Sequence, residues 1–236
     1  LVAPKRYHKG FGTSTAAVIA GGTQPGLPDP NHVAKAEKWD GSSWTEVGDL
    51  NTTRSHLSSA GASSTSGMIF GGAGWESSPG DVIHGETEIW NGTSWTEVGD
   101  LNTAKHGSGG TGIITAALCV SGGPDPSPTA TVESWNGTAW SEQADLNEGR
   151  YQGGLGGTST SAVHFGGNPG ASVNTEQYDG SSWTEAANLP TGKANMGDVG
   201  QTSSGNALCI SGYTTANVTT VEEWSQAIAA VTFTSS

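Results

Sequence analysis

Positive charge is scarce in this chain: nine Lys and Arg stand against 22 Asp and Glu, a net charge of −13 over 236 residues. Binding to a phosphate backbone needs clustered Lys and Arg, so the balance argues against a nucleic-acid partner. Only 13% of the chain is charged and 37 residues are Gly, which disfavours long amphipathic helices and favours many short strands and tight turns. No run of 18 apolar residues occurs, so no helical membrane insertion is expected. The opening LVAPKRYHKG lacks the apolar stretch of a signal peptide, and the missing initiator Met points to a processed product or a piece of a longer chain. Cysteine is limited to Cys119 in ALCVSGG and Cys209 in ALCISGY. They hold the same place in two repeats, hence equivalent strands set apart. Since a bridge needs Cα atoms within roughly 7 Å, both read as small buried fillers.

What is present is repetition. WDGSSWTEVGDLNT at 39 to 52 returns as WNGTSWTEVGDLNT at 90 to 103, WNGTAWSEQADLN at 135 to 147 and YDGSSWTEAANLPT at 178 to 191. Double glycines fall at Gly21-Gly22, Gly71-Gly72, Gly122-Gly123 and Gly166-Gly167, with SGY at 211 to 213 as a degraded fifth. Steps of 50, 51, 44 and about 45 residues match the period of a four-stranded propeller blade. The expectation is one all-β domain over 1–236, a five-bladed β-propeller with blades near 1–53, 54–104, 105–149, 150–192 and 193–236. The last blade would end on AAVTFTSS as its outer strand.

Within a unit the strands read in order. A glycine-rich strand such as SHLSSAGASS suits the crowded surroundings of a central channel. A short apolar strand such as GMIFGG runs into the double glycine, and a loop of variable length follows. The third strand carries Glu two positions before an aromatic, as Glu37 and Trp39, Glu88 and Trp90, Glu133 and Trp135, Glu176 and Tyr178, Glu222 and Trp224. Asn-Gly or Asp-Gly then signals a type I′ hairpin, and the fourth strand holds Trp44, Trp95, Trp140 or Trp183. The paired aromatics are expected as cross-strand neighbours buried between blades.

A double glycine closing the second strand, then an aromatic, then a Trp, then a DLNT turn leading to Arg or Lys resembles the kelch repeat, over nearly all of the chain. The four residues between the two aromatics make this outer hairpin shorter than the usual kelch one. The wording of the repeats is also similar to that of repeat proteins of marine bacteriophages, where such arrays occur in virion structural proteins and tail fibres. That resemblance implies an extracellular or virion-surface location.

The candidate site follows from strand direction. Loops from second to third strand emerge at the same end as the links between blades, and they vary most, so binding is expected there. Arg6, Arg54, Lys105, Arg150 and Lys193 read as one repeat position at the start of the innermost strand. They could form a ring for anionic sugars, or pair with the repeated Glu residues as a buried Arg requires. His8, His56 and His106 follow that position and would ring the same mouth. Trp75, an aromatic outside the repeat pattern in a Gly/Ser/Pro loop, is either a ligand contact or a loop anchor. The named ligand-binding candidates are thus Trp75, Arg54, His56, Arg6, His8, Lys105, His106 and Arg150.

Catalytic signals are sparse. DGSSW resembles the Asp-box of sialidase-type propellers, but that motif has a residue between Asp and Gly, and Asp40-Gly41 and Asp179-Gly180 have none. No HExxH, GxSxG, Walker loop or Cys/His metal spacing occurs. Asp29, Asp81 and Asp125 lack the dense spacing of a calcium loop. Neither metal nor cofactor is implied. Sequons at Asn51, Asn91, Asn136 and Asn217 matter only in a eukaryotic secretory setting. The expected function is a non-enzymatic binding or structural module that recognises a cell-surface glycan or protein, or other virion proteins. The alternative is a glycan-active propeller enzyme, which would need carboxylates converging at the channel mouth.

Overall fold

A computed structural model of the chain describes residues 1–27, 31–75, 81–124, 127–197 and 206–225, with the side chains of Trp75, Asp81 and Asn206 outside the described part. The described residues form strands and no helix. The first sheet runs β1 (Lys9–Thr13), β2 (Ala16–Ala20), β3 (Ala36–Trp39), β4 (Trp44–Glu46) in spatial order. The second comprises β5 (Ser58–Ser63), β6 (Ser66–Phe70), β9 (Thr87–Trp90) and β10 (Trp95–Val98), with a separate hairpin of β7 (Ala73–Trp75) and β8 (Asp81–Ile83) between its second and third strands. The third is β11 (Gly109–Ile113), β12 (Ala116–Val120), β13 (Val132–Trp135), β14 (Trp140–Glu142). The fourth is β15 (Gly154–Thr158), β16 (Ser161–Phe165), β17 (Thr175–Tyr178), β18 (Trp183–Glu185). A last pair, β19 (Asn206–Tyr213) and β20 (Asn217–Ser225), stands where the second and third strands of a fifth sheet would. All pairings are antiparallel, so the all-β architecture of four-stranded sheets is as the repeat implies. The AAVTFTSS segment expected as an outer strand lies outside the described residues.

The first strand of each sheet neighbours the first strand of the next: β1 contacts β5, β5 contacts β11, and β11 contacts β15. Glycine is needed where these strands approach. A Cβ on Gly110 would sit 2.5 Å from the carbonyl oxygen of Ser59 on the preceding sheet. The core is divided accordingly. Each apolar cluster lies between consecutive sheets; the largest members of the first three are paired aromatics, and those of the fourth are Phe165 and Met196. The aromatics of each outer hairpin stand directly opposite each other: Trp39 and Trp44, Trp90 and Trp95, Trp135 and Trp140, Tyr178 and Trp183, with ring centroids 5.6, 5.2, 5.6 and 5.0 Å apart. Cys119 and Cys209 are buried and unbridged, as their separate strands require.

The hairpin between the aromatics is a correction to the type I′ expectation. Four residues form the loop, and only its Gly is left-handed, at φ 96°, 96°, 95° and 99° for Gly41, Gly92, Gly137 and Gly180. The preceding Asp or Asn stays out of that region because its side chain does the turning. Asn91 Oδ1 accepts the N–H groups of Thr93 and Ser94, both at 2.9 Å, and Asp40, Asn136 and Asp179 do the same. The Ser182 N–H, the Ser181 hydroxyl and the Ser181 N–H, in that order, hold the Asp179 carboxyl down at about 2.

A second correction concerns the third double glycine. The equivalent pair is Ser121-Gly122, not Gly122-Gly123, because Gly122 N–H meets the Arg150 carbonyl at 2.8 Å as Gly22, Gly72 and Gly167 meet those of Arg54, Lys105 and Lys193. A Cβ at Gly71 would fall 2.5 Å from the Lys105 carbonyl oxygen. The double glycine is therefore a clamp between consecutive repeats.

Candidate functional site

The basic repeat position is filled by Lys5, Arg54, Lys105, Arg150 and Lys193. Lys5 holds the place expected for Arg6, since Arg6 instead bridges Thr23 as Ser55 bridges Ala73 one residue after Arg54. Each of the five pairs with the Glu of its own repeat: Lys5 with Glu37 at 2.8 Å, Arg54 with Glu88 at 2.8 Å, Lys105 with Glu133 at 3.2 Å, Arg150 with Glu176 at 2.8 Å and Lys193 with Glu222 at 3.1 Å. Arg54, Lys105 and Arg150 are fully buried. Those three candidates hold strands together and offer no surface to a ligand, because an Arg or Lys in a dry interior is tolerable only with such a partner. The second oxygen of the carboxylate takes the loop entering the repeat: Glu88 accepts from Asn51 N–H and Nδ2 at 2.8 and 2.9 Å, and Glu176 accepts from Asn147 at 2.8 Å for both.

Two residues beyond each buried cation the backbone turns left-handed. The φ values are 57° at Tyr7, 51° at His56, 62° at Gly107, 59° at Gln152 and 54° at Asn195. Only one of the five is Gly, so four repeats bear the strain of placing a side chain there. Hydrogen bonds link the series: His56 N–H to the Tyr7 carbonyl at 3.0 Å, Gly107 to His56 at 2.9 Å, Gln152 to Gly107 at 2.6 Å and Asn195 to Gln152 at 2.9 Å. These amides tie each repeat to the one before it.

The five left-handed residues and the five that follow them, His8, Leu57, Ser108, Gly153 and Met196, line a cavity of about 240 Å3, joined by Lys9. All five repeats contribute the same two positions. The backbone is repeated around this cavity while the side chains differ: phenol, imidazole, hydrogen, carboxamide and a shorter carboxamide at the first position. Tyr7 stacks on His56 at 4.1 Å between ring centroids, and His56 meets His106 edge-on at 5.9 Å. His8 is mostly buried, which together with the nearby Lys5 charge pushes its imidazole below the usual range and keeps it neutral. Its Nδ1 has no partner among the described residues. Among the described residues no carboxylate lines the cavity.

Of the sequence candidates, His8 and His56 face this cavity and His106 packs against His56. Arg6 is exposed beside it, its guanidinium 5.5 Å from the Tyr7 ring centroid and its Nε 3.1 Å from Thr23 Oγ1. Trp75 ends β7, whose first residue bridges Ser55, so that hairpin rises next to His56. Sequence reasoning missed Tyr7, Lys9, Gln152, Asn195 and Met196. The readable signal was a fixed offset of two and three residues from the buried cation, obscured by the one-residue misframing of Arg6. Among the described residues no group of three His, Cys, Asp or Glu could hold a metal ion. No family model and no curated protein matches the chain.

Proposed function

We propose that the chain is a non-enzymatic binding module, a five-bladed kelch-like propeller displayed on a virion or tail fibre, and that it recognises a cell-surface glycan through the cavity shared by its five repeats. The observation that carries the reading is the left-handed position itself. One backbone device occurs five times, yet it presents Tyr7, His56, Gly107, Gln152 and Asn195. A packing device would keep the side chain constant, as the buried Lys/Arg and Glu do. Variation on a rigid, strained frame is how a repeat scaffold builds a single site. Tyr7 and His56 supply a stacking face, while Gln152, Asn195 and the Nδ1 of His8, unpartnered among the described residues, supply hydrogen-bonding groups suited to sugar hydroxyls. A glycosidase would call for a pair of carboxylates at the reacting bond, and among its described residues the lining offers hydroxyl, imidazole and carboxamide groups instead.

The test is a glycan array run beside a glycosidase panel, with His56→Gly and Gln152→Gly as variants. Gly107 shows that glycine serves this backbone position, so both variants keep the fold while removing a lining side chain. Each is expected to lose array signal at least tenfold with an unchanged melting temperature. Glycan turnover, or variants that bind as the parent does, would overturn the reading.

A further inference from the structure

Under the lining of the shared cavity each repeat sets one side chain against another, and the fourth repeat inverts the arrangement. The upper residue is the second lining position: His8, Leu57, Ser108, Gly153 and Met196. The lower one stands two places before the double glycine or its equivalent: Ile19, Ile69, Cys119, His164 and Cys209. Leu57 and Ile69 share one apolar cluster, the Ser108 hydroxyl reaches the Cys119 sulfur, and Met196 Sδ lies 2.9 Å from Cys209 Sγ. In the fourth repeat the residue above is glycine and the one below is large. A Cβ on Gly153 would fall 2.7 Å from both Cε1 and Nε2 of His164, so the imidazole fills the room of the missing side chain. His164 is 1% exposed, and its Nδ1 has no partner among the described residues. It shares a face of β16 with Ala162, which packs with Leu118, Val120 and Leu155. Across the sheet it stands opposite Glu176, whose carboxylate already holds Arg150 at 2.8 Å and both Asn147 donors at 2.8 Å. The charged groups facing the ring are therefore a cation and a carboxylate that is fully engaged. Isoleucine or cysteine meets the packing need at this place in the other four repeats, so the histidine adds a proton site that packing does not require.

We infer that His164 is an acid-operated latch on the cavity wall: neutral, it lets β15 and β16 close under Gln152 and Gly153, and protonated, it forces that wall open and takes the fourth repeat's contribution from the cavity. As control of ligand binding, this rests on the cavity being the glycan site proposed above. Burial first, and then the Arg150 charge, hold the ring well below the usual imidazole range. The opened chain thus binds one proton more than the closed one below about pH 6.5, and closure weakens about tenfold for each pH unit below that value. Above it the closed form keeps its full stability. His8, which faces Lys5, Glu37 and Lys9, is also held neutral and responds to acid in the first repeat, so the latch has to be read locally.

Hydrogen exchange of the full chain, followed by mass spectrometry at about pH 7.5 and about pH 5.5 and corrected for the intrinsic pH dependence of exchange, gives that local reading. Acidification is expected to lower the protection of Gly154–Thr158 and Ser161–Phe165 about tenfold further than that of Ser58–Ser63 and Ser66–Phe70. His164→Cys, which copies Cys119 and Cys209, should erase the difference. If that variant does not fold, His164→Ile decides, since Ile19 and Ile69 hold the same place. An acid response equal in the second and fourth repeats, or a difference that persists in the folded variant, would overturn the latch. A glycan array at the same two pH values then reads the consequence: signal lost in acid by the parent and kept by the variant is expected. Parent signal that survives acid would overturn the latch's control of the cavity, whereas an array silent at both values beside a working latch would sink the glycan reading and leave the latch in place.

Discussion

A buried cation is an expensive way to hold two strands together, and the chain uses it five times. The arrangement is tolerable because the carboxylate opposite each of the first four cations is saturated: one oxygen takes the Lys or Arg and the other takes backbone or amide N–H groups from the entering loop. The fifth copy breaks this pattern at a single residue. Pro190 stands where Asn51, Asn102 and Asn147 stand, and it has neither an N–H nor a side-chain amide to give. Glu222 Oε2 accordingly has no partner among the described residues. Pro190→Asn is expected to restore both bonds and raise stability by about 1–2 kcal/mol, given that hydrogen bonds to charged groups are worth about 1.5–3 kcal/mol. Chemical denaturation of the variant measures it, and the gain should vanish when Glu222→Gln is combined with it. A gain that survives in the double variant would place its origin elsewhere.

At the scale of elements, the outer hairpin is the part that joins one sheet to the next. Its Asx turn is self-contained, and its two aromatics project onto the preceding sheet. Trp95 is 7% exposed and donates its indole N–H to the Gly48 carbonyl of the first sheet at 2.9 Å. Trp44, on the first sheet's own outer strand, is only half-buried. The same residue in the same motif therefore carries different weight. Trp95→Ala is expected to cost about 3 kcal/mol or more, as for emptying a large aromatic site in a core, and Trp44→Ala under half of that. Paired thermal melts test the contrast; similar losses for both would mean that the half-buried Trp44 is covered in solution.

Across the whole molecule the two ends of the array are unlike its middle. Leu50, Leu101, Leu146 and Leu189 are 4–9% exposed, whereas Leu1, which precedes Lys5 as Leu50 precedes Arg54, is 51% exposed. On the other side Leu208 and Ile210 are 37% and 39% exposed, while their counterparts Leu118 and Val120 are fully buried between the third and fourth sheets. In the middle of the array the counterparts of both sets lie between neighbouring sheets. Closure of five repeats in one chain, as proposed above, brings these faces together. Leu1→Cys combined with Ile210→Cys is expected to be joined within a single chain by a short bifunctional thiol crosslinker, because Leu50 in the matching interface lies against Gly21 at the end of β2. Crosslinks formed only between molecules would show that another chain completes the ring.

The sequence by itself determined the local unit. Strand order, the opposed aromatics, the Glu two residues before the ring and the unbridged cysteines are all consequences of short-range periodicity and turn chemistry, which repetition made legible four times over. It also indicated that the basic residues had Glu partners to find. What only the tertiary structure decided are the matters that depend on one repeat meeting another. The frame of the basic position is an example: Lys5 and Arg6 are adjacent cations, and only the strand register across to Glu37 and Thr23 tells which one turns inward. The double glycine of the third repeat is another, since Ser121 reaches the Arg150 carbonyl with its hydroxyl where glycine elsewhere yields to it. The candidate site is the third. Tyr7, His56, Gln152 and Asn195 have no common chemistry in sequence; they converge because the same left-handed turn, stitched by amides from repeat to repeat, aims each of them at one cavity.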